Sequence, residues 1–306
     1  MKIAVIGAGL IDLVSYVDKM PEYGSTISTN SFHIACGGKG ANQAIAASRL
    51  GADVLMLSVV GDDIFGQMTR ENFIRNNIDT KHIVEIPNMS SGVVIILVEK
   101  SGQYRSVFYP GASKALTPEN FLSAADDLKK CGMFVIQLEI ALETVYAAID
   151  FAVANKIPVI LNPSPINKDF SADMACKCDF VVVNEIELEV LTKMPADTQE
   201  NIILAGKYLL SRGLRQLIIT RGADGSIFMT EDELKFIPTL KVDAVDSTGA
   251  GDAYMGCFVE TYARTGKIIE SIQRASKYAA LSVTRKGTQD SYLTADEFEK
   301  FLATLS

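Results

Sequence analysis

The chain has 306 residues, 48% of them hydrophobic, so it can bury a sizeable core without a disulfide or metal staple. Its formal net charge of −8 argues against a nucleic-acid partner or an anionic membrane surface. Length alone allows two domains, but one large α/β domain with an accessory piece fits equally well.

The five cysteines (Cys36, Cys131, Cys176, Cys178 and Cys257) form an odd, scattered set that reads as buried reduced thiols and points to the cytoplasm. Met1–Ile6 begins like a signal peptide, but Asp12 interrupts the apolar run and no cleavage-site pattern follows. No apolar stretch is long enough to span a bilayer. The two histidines, His33 and His82, are far apart and read as surface or loop residues.

In chain order, residues 2–6, 53–60, 133–137, 158–161, 180–183 and 216–220 are short Val/Ile/Leu-rich runs that predict buried strands. Between them, helical periodicity predicts helices over 41–50, 64–76, 142–155 and 199–211. Thr117-Pro118 supplies an N-cap and a first-turn proline for another. This alternation predicts an α/β fold, a mostly parallel sheet with helices on both faces. Two segments break the rhythm. Residues 25–35 have a strand-like mix, and 93–99 with 103–107 read as a hairpin joined by Lys100-Ser101-Gly102. They suggest a small separate β-sheet, a lid drawn from about 14–36 and 88–112 and interwoven with a single core; the alternative is a pair of edge strands on the main sheet.

Gly7-Ala8-Gly9 follows a strand and looks like the opening of a dinucleotide fingerprint, but Asp12 stands where the third glycine belongs. A plain nicotinamide-dependent oxidoreductase is therefore disfavoured. Gly37-Gly38-Lys39-Gly40 lacks the Ser or Thr of a Walker A loop, having Ala41 after it. Its glycines still let backbone approach a ligand, with Lys39 as a cation and Asn42 as donor and acceptor; a tight turn before a helix is the structural alternative.

Asp246-Ser247-Thr248-Gly249-Ala250-Gly251-Asp252 is the stronger signal. Gly249, Ala250 and Gly251 open a helix whose unpaired N–H groups form an anion hole for a transferring phosphate. A carboxylate there makes sense as a base: Asp252 takes the proton of a sugar hydroxyl while the N–H groups stabilise the γ-phosphoryl oxygens. The alternative is an acid complementing a helix dipole. Asn184 and Glu187 follow a strand, where α/β sheets place ligands; a carboxylate there can hold Mg²⁺ through water, or simply cap a helix. Thr220-Arg221-Gly222-Ala223-Asp224-Gly225 and Asn162-Pro163-Ser164-Pro165 end further strands.

Together these residues resemble the ribokinase family of sugar kinases (the phosphofructokinase-B type) essentially from end to end. Residues 37–43 look like its first signature, 246–252 like its second, and Asn184 with Glu187 like its Asn-x-x-Glu motif. The resemblance implies a three-layer αβα core with a β-sheet lid, ATP as phosphoryl donor, Mg²⁺ held through water by Glu187, and a homodimer through the lid. It places Asp12, Gly38, Lys39, Asn42 and Glu139 at the sugar, and Asn184, Thr220, Gly222, Gly225, Gly251 and Ser276 at ATP. Residues 284–291 look like the family's potassium stretch, where Ser282, Arg285, Gly287 and Ser291 would join Asp246 and Thr248 around K⁺, mostly through carbonyls.

One departure matters. Ribokinases proper carry asparagine two residues before the sugar-binding aspartate, and this chain has Leu10. A buried hydroxyl left against leucine costs roughly 1–3 kcal/mol, about ten- to two-hundred-fold in discrimination. Leu10 therefore favours 2-deoxy-D-ribose over D-ribose, and the chain resembles the bacterial deoxyribokinases of that family, which are also apolar there. The alternatives are that Leu10 merely packs under the lid of an enzyme for ribose or another small sugar, that a larger nucleoside is the acceptor, or that the chain binds sugar without turnover; Asp252 and Glu187 argue against the last.

Overall fold

β1 (Lys2–Ile6) can be apolar throughout because the sheet it enters is covered on both faces. Ile3 and Val5 pack into one core cluster, Ala4 and Ile6 into the other, as the two-residue period of a strand requires. The structure, a computed structural model, describes residues 1–101 and 103–305. After β1 come β2 (Leu10–Val17), β3 (Ser31–Gly37), α1 (Lys39–Arg49), β4 (Asp53–Gly61), α2 (Ile64–Arg75) and β5 (Asp79–Ile86). β6 (Val93–Glu99) and β7 (Tyr104–Tyr109) precede α3 (Pro118–Ser123) and α4 (Ala125–Leu128). Then run β8 (Met133–Ile136), α5 (Leu142–Asn155), β9 (Val159–Leu161), α6 (Ala172–Cys176), β10 (Phe180–Asn184), α7 (Glu185–Thr192) and α8 (Gln199–Ser211). β11 (Gln216–Thr220), β12 (Ser226–Met229), β13 (Leu234–Ile237), α9 (Ala250–Thr265), α10 (Ile268–Ser282) and α11 (Ala295–Ala303) follow.

The main sheet has nine strands in the order β13-β12-β11-β10-β9-β8-β1-β4-β5. Its pairs are parallel except β11–β12 and β12–β13. One face is packed by α5, α7 and α8 and the other by α1, α9 and α10, giving the three-layer α/β arrangement expected. All six predicted strands lie in this sheet. Three of its strands escape the sequence patterns: β5 mixes Asp79, Lys81, His82 and Glu85 at one edge, and β12 and β13 are only four residues each. Thr117 caps α3 in a capping box with Asn120.

The segments that break the rhythm pair with one another, not with the main sheet, in the order β3-β2-β6-β7. β2 runs parallel to β6, while β3 and β7 are antiparallel to their neighbours. The small sheet starts earlier than the expected boundary near residue 14, at Leu10, and residues 25–30 lie outside β3. The edge-strand alternative is thereby overturned. Of the expected hairpin turn, Gly102 lies outside the described residues, while β6 and β7 pair as a hairpin on either side.

Both histidines sit in strands. His33 is exposed on β3 against the Tyr16 ring, but His82 is tucked into β5 with Nε2 3.0 Å from Asp127 Oδ2, correcting the loop expectation. All five cysteines are free; Cys131, Cys178 and Cys257 are buried, whereas Cys36 and Cys176 are only partly so. Among the described residues no helix is long and apolar enough to cross a membrane.

α1 packs closely against α9, and the approach depends on Gly256. A Cβ built there would lie 2.3 Å from Ala46 Cβ and 2.8 Å from Ala47 N, neither of which can swing aside. Gly256→Ala gains about 1 kcal/mol of helix propensity. Overpacking costs roughly 1–3 kcal/mol, toward the upper end against rigid neighbours, and should prevail. The variant's denaturation midpoint is expected below that of the wild type; an equal or higher midpoint contradicts this packing.

Candidate active site

The glycines of the first motif are explained by contact with the β1–β2 turn. A Cβ on Gly40 would fall 2.8 Å from Ala8 N and from Gly7 C, and one on Gly38, at φ 92°, 2.8 Å from Ala8 O. Gly7-Ala8-Gly9 is thus the bed for the Gly37–Gly40 turn, which disposes of the dinucleotide reading of those residues. Asp12 lies against the same turn, with Oδ2 2.4 Å from where a Gly37 Cβ would be. Leu10 is 2% exposed, pairs with Gly37, and lies against Gly92, where a Cβ would be 2.3 Å from Leu10 Cδ2. Leu10 and Asp12, two apart on β2, share one face of the strand.

Four charged groups converge beyond this turn. Glu139 is buried and accepts a hydrogen bond from Lys39 N at 2.6 Å. Burial pushes the Glu139 carboxyl up to about 7, against the pull of Lys39. Burial, helped by the charge of Asp252, pushes Asp12 up to about 6. Lys39 is itself raised, first by Asp252 and then by Glu139 and Glu187, despite its burial.

Asp252, 4% exposed, is held through both carboxylate oxygens. Asn42 Nδ2 donates to Oδ2 at 2.9 Å and Gln43 Nε2 to Oδ1 at 3.0 Å. Gln43 Nε2 also reaches Asn162 Oδ1 at 3.0 Å, and Gln137 Nε2 donates to Gln43 Oε1 at 2.7 Å. Asn42, expected at a sugar, uses one N–H on Asp252 and its Oδ1 on Gln289 Nε2, 2.8 Å away. One N–H and one lone pair remain.

Gly249, at φ 76°, opens α9, and no side chain caps it. A Cβ there would meet Thr288 Cγ2 at 2.3 Å, and Tyr292 Oη donates to Gly249 O at 3.1 Å. By contrast, a Cβ on Gly251 would meet nothing within 4 Å. The helix start at Ala250 and Gly251 therefore faces open space, lining a cavity of about 520 Å³. Thr220, Gly222, Gly225 and Ser276, expected together from the sequence, line that cavity too. Tyr254, Thr239 and Val242 line it as well and carry no sequence signal of a ligand.

Asn184 and Glu187 form a capping box at the start of α7. Glu187 N donates to Asn184 Oδ1 at 2.8 Å and Asn184 N to Glu187 Oε2 at 2.9 Å. The helix-cap reading is therefore real, and it leaves Glu187 Oε1 and Asn184 Nδ2 for other work. Asp246 ties two loops together, accepting from Thr248 N at 2.9 Å and Gly287 N at 3.0 Å. Burial works against its ionisation, but these N–H groups hold its carboxyl below the ordinary range. The Ser282 and Ser291 hydroxyls are spent on Ala279 O and Thr288 O, and Arg285 pairs with Glu297 at 3.7 Å, so these residues offer carbonyls more than side chains. Among the described residues no cluster of three or more His, Cys, Asp or Glu could hold a metal by itself.

Gln43 and Gln289, in direct contact with the Asp252–Asn42 pair, escape a sequence reading even though both lie in the quoted motifs. Their partners are 209 and 247 positions away, so no local pattern marks their role.

The raised carboxyls set a pH dependence. Above the ordinary carboxyl range and up to about 6 for Asp12 and about 7 for Glu139, the folded chain holds protons that the unfolded chain has lost. Their contribution to stability is therefore full at low pH and falls as pH rises through that window. The Tm of the wild type relative to an Asp12→Asn/Glu139→Gln double variant is expected to drop between about pH 4 and about pH 7. A pH-independent difference contradicts these assignments.

A model of the pfkB family carbohydrate kinases matches residues 1–295. The chain is 46% identical over 303 residues to the deoxyribokinase of Salmonella typhi, across 99% of both chains. It is 34% identical over 294 residues to the ribokinase of Mus musculus, covering 95% of this chain and 91% of that one. The solved ribokinase of Thermotoga maritima, 29% identical, superposes with a TM-score of 0.89 over 98% of this chain and 99% of its own. With the three-layer core, the separate four-stranded sheet and this end-to-end match, the chain belongs to the pfkB family of carbohydrate kinases.

Proposed function

We propose that the chain transfers the γ-phosphoryl group of ATP to the 5-hydroxyl of 2-deoxy-D-ribose, with Asp252 as the base. The observation that carries the chemistry is Asp252 itself, the third residue of α9, held by two amides beside the open start of that helix. Asp252 accepts the hydroxyl proton as the sugar oxygen bonds to phosphorus and the bond to the ADP oxygen breaks. Ala250 N–H is already given to Ser247 O at 3.3 Å, so the N–H groups of Gly249 and Gly251 stabilise the charge on the transferring group. ATP occupies the cavity lined by Thr220, Gly222, Gly225, Gly251 and Ser276; Asn184, which does not line it, is given the phosphates through its free Nδ2.

Mg²⁺ fits the site as a partner of the nucleotide, since Glu187 offers one free carboxylate oxygen and phosphates supply the other ligands through water. When bound it neutralises phosphate charge. K⁺ fits between the loops joined by Asp246, with Thr248, Ser282, Arg285, Gly287 and Ser291 contributing mostly carbonyls. Asp12, Gly38, Lys39, Asn42 and Glu139 orient the sugar, and the small sheet serves as its lid. Phe32, Ile34, Ile95 and Val107 are exposed on one face of that sheet, an apolar surface that supports a homodimer formed through it. The free thiols suit a reducing, cytoplasmic setting.

The preference for deoxyribose rests on Leu10 beside Asp12, and the 46% identity to a deoxyribokinase supports it. Ribose is the second reading, carried by the 34% identity to a ribokinase.

Asp252→Asn removes the base and also sets an amide against the Asn42 and Gln43 donors. kcat is expected to fall by roughly 10²–10⁴-fold with sugar binding retained; near-wild-type turnover contradicts the base assignment. Leu10→Asn is expected to raise the kcat/KM of ribose relative to deoxyribose by about tenfold or more. An unchanged ratio refutes the role given to Leu10.

A further inference from the structure

An ionised carboxylate only accepts hydrogen bonds, so Asp252 dictates the direction of every amide linked to it. Asn42 must turn its N–H₂ to Asp252 Oδ2, which leaves its oxygen to accept from Gln289 Nε2 at 2.8 Å. Gln289 Oε1 then accepts from Asn72 Nδ2 at 2.8 Å, and Asn72 Oδ1 from Asn76 Nδ2 at 3.3 Å. Asn76 Oδ1 in turn accepts from Arg49 Nε at 2.9 Å. Every bond in this chain points the same way, from a guanidinium that can only donate to a carboxylate that can only accept. Arg49 also donates through Nη1 to the backbone oxygen of Tyr292, 3.1 Å away, fixing the turn that carries Gln289.

We infer that Gln289 is a positioning residue for Asp252, the central link of a one-directional amide chain that begins at Arg49. Gln289 is 7% exposed and its amide is spent within the protein, so it acts through Asn42 and not on the substrate. If its N–H₂ is lost, Asn42 Oδ1 is left buried without a donor and the amide is free to turn its oxygen toward Asp252, displacing the carboxylate. The same residue belongs to the loop whose Gly287 N bonds Asp246, so the chain also ties the geometry of Asp252 to that loop.

The inference rests on Asp252 being the base, and a double-variant cycle separates the two. Gln289→Met keeps the length of the side chain without its donor. In the otherwise wild-type enzyme it is expected to lower kcat about tenfold while the KM for ATP stays within about twofold. In an Asp252→Ala background the same change is expected to alter the residual kcat by less than about twofold, because the residue it acts through is gone. The melting cost, which a merely structural role would also carry, should be alike in both backgrounds. Equal loss of kcat in both backgrounds, or none in the wild-type background with the variant folded, overturns the inference. Asn72→Ala breaks the chain one link further out and should give the same pattern with a smaller loss, which carries the test if Gln289→Met fails to fold. A fully active Asp252→Ala enzyme would remove the base reading itself, and with it this role for Gln289.

Discussion

The site depends on how closely α1 approaches α9. Gly256, one turn into the helix from Asp252, lets Ala46 and Ala47 come within contact of its backbone. One turn before those alanines stand Asn42 and Gln43, which the same approach brings to hydrogen-bonding distance of the Asp252 oxygens. A larger residue at the helix crossing would move the donors away from the carboxylate without touching either. The packing and the chemistry share one constraint.

The same crossing explains the electrostatics. Burial and the Asp252 charge raise the cost of ionising Asp12 and Glu139, and Lys39 is the cation that offsets the cluster. In a pfkB-family kinase such a cluster is suited to grip hydroxyl groups while one carboxylate takes a proton. It is unsuited to hold phosphate, and the open helix start of α9 and the adjoining cavity lie on the other side of Asp252 for that purpose. Under the proposed assignment, sugar and nucleotide meet surfaces of opposite character, with Asp252 between them.

Much of this was legible in the sequence because it is local. Strands buried on both faces announce themselves as apolar runs, and β1, β8, β9, β10 and β11 were all readable so. The turn at 246–252 carries its glycines and its acid within seven residues. What escaped is either marginal or distant. β2 alternates burial irregularly around Asp12 and Ser15, so its early start at Leu10 was not apparent. Gly7-Ala8-Gly9 resembles the opening of a dinucleotide fingerprint because nothing local reveals that Gly40 is what needs the space. The capping box of Asn184 and Glu187 and a metal role use the same two residue types at the same spacing, so the pattern could not separate them. The amide chain from Arg49 to Asp252 joins residues from α1, α2, α9 and the turn before α11, and no single segment hints at its direction.

The most direct test of the whole account is to follow the wild-type enzyme with ATP and either 2-deoxy-D-ribose or D-ribose, identifying the product by phosphorus NMR and counting ADP formed. The account predicts a 5-phosphate ester formed one-for-one with ADP, with the higher kcat/KM for the deoxy sugar. A phosphate at another hydroxyl, ADP released without an ester, or a clear preference for ribose would contradict it.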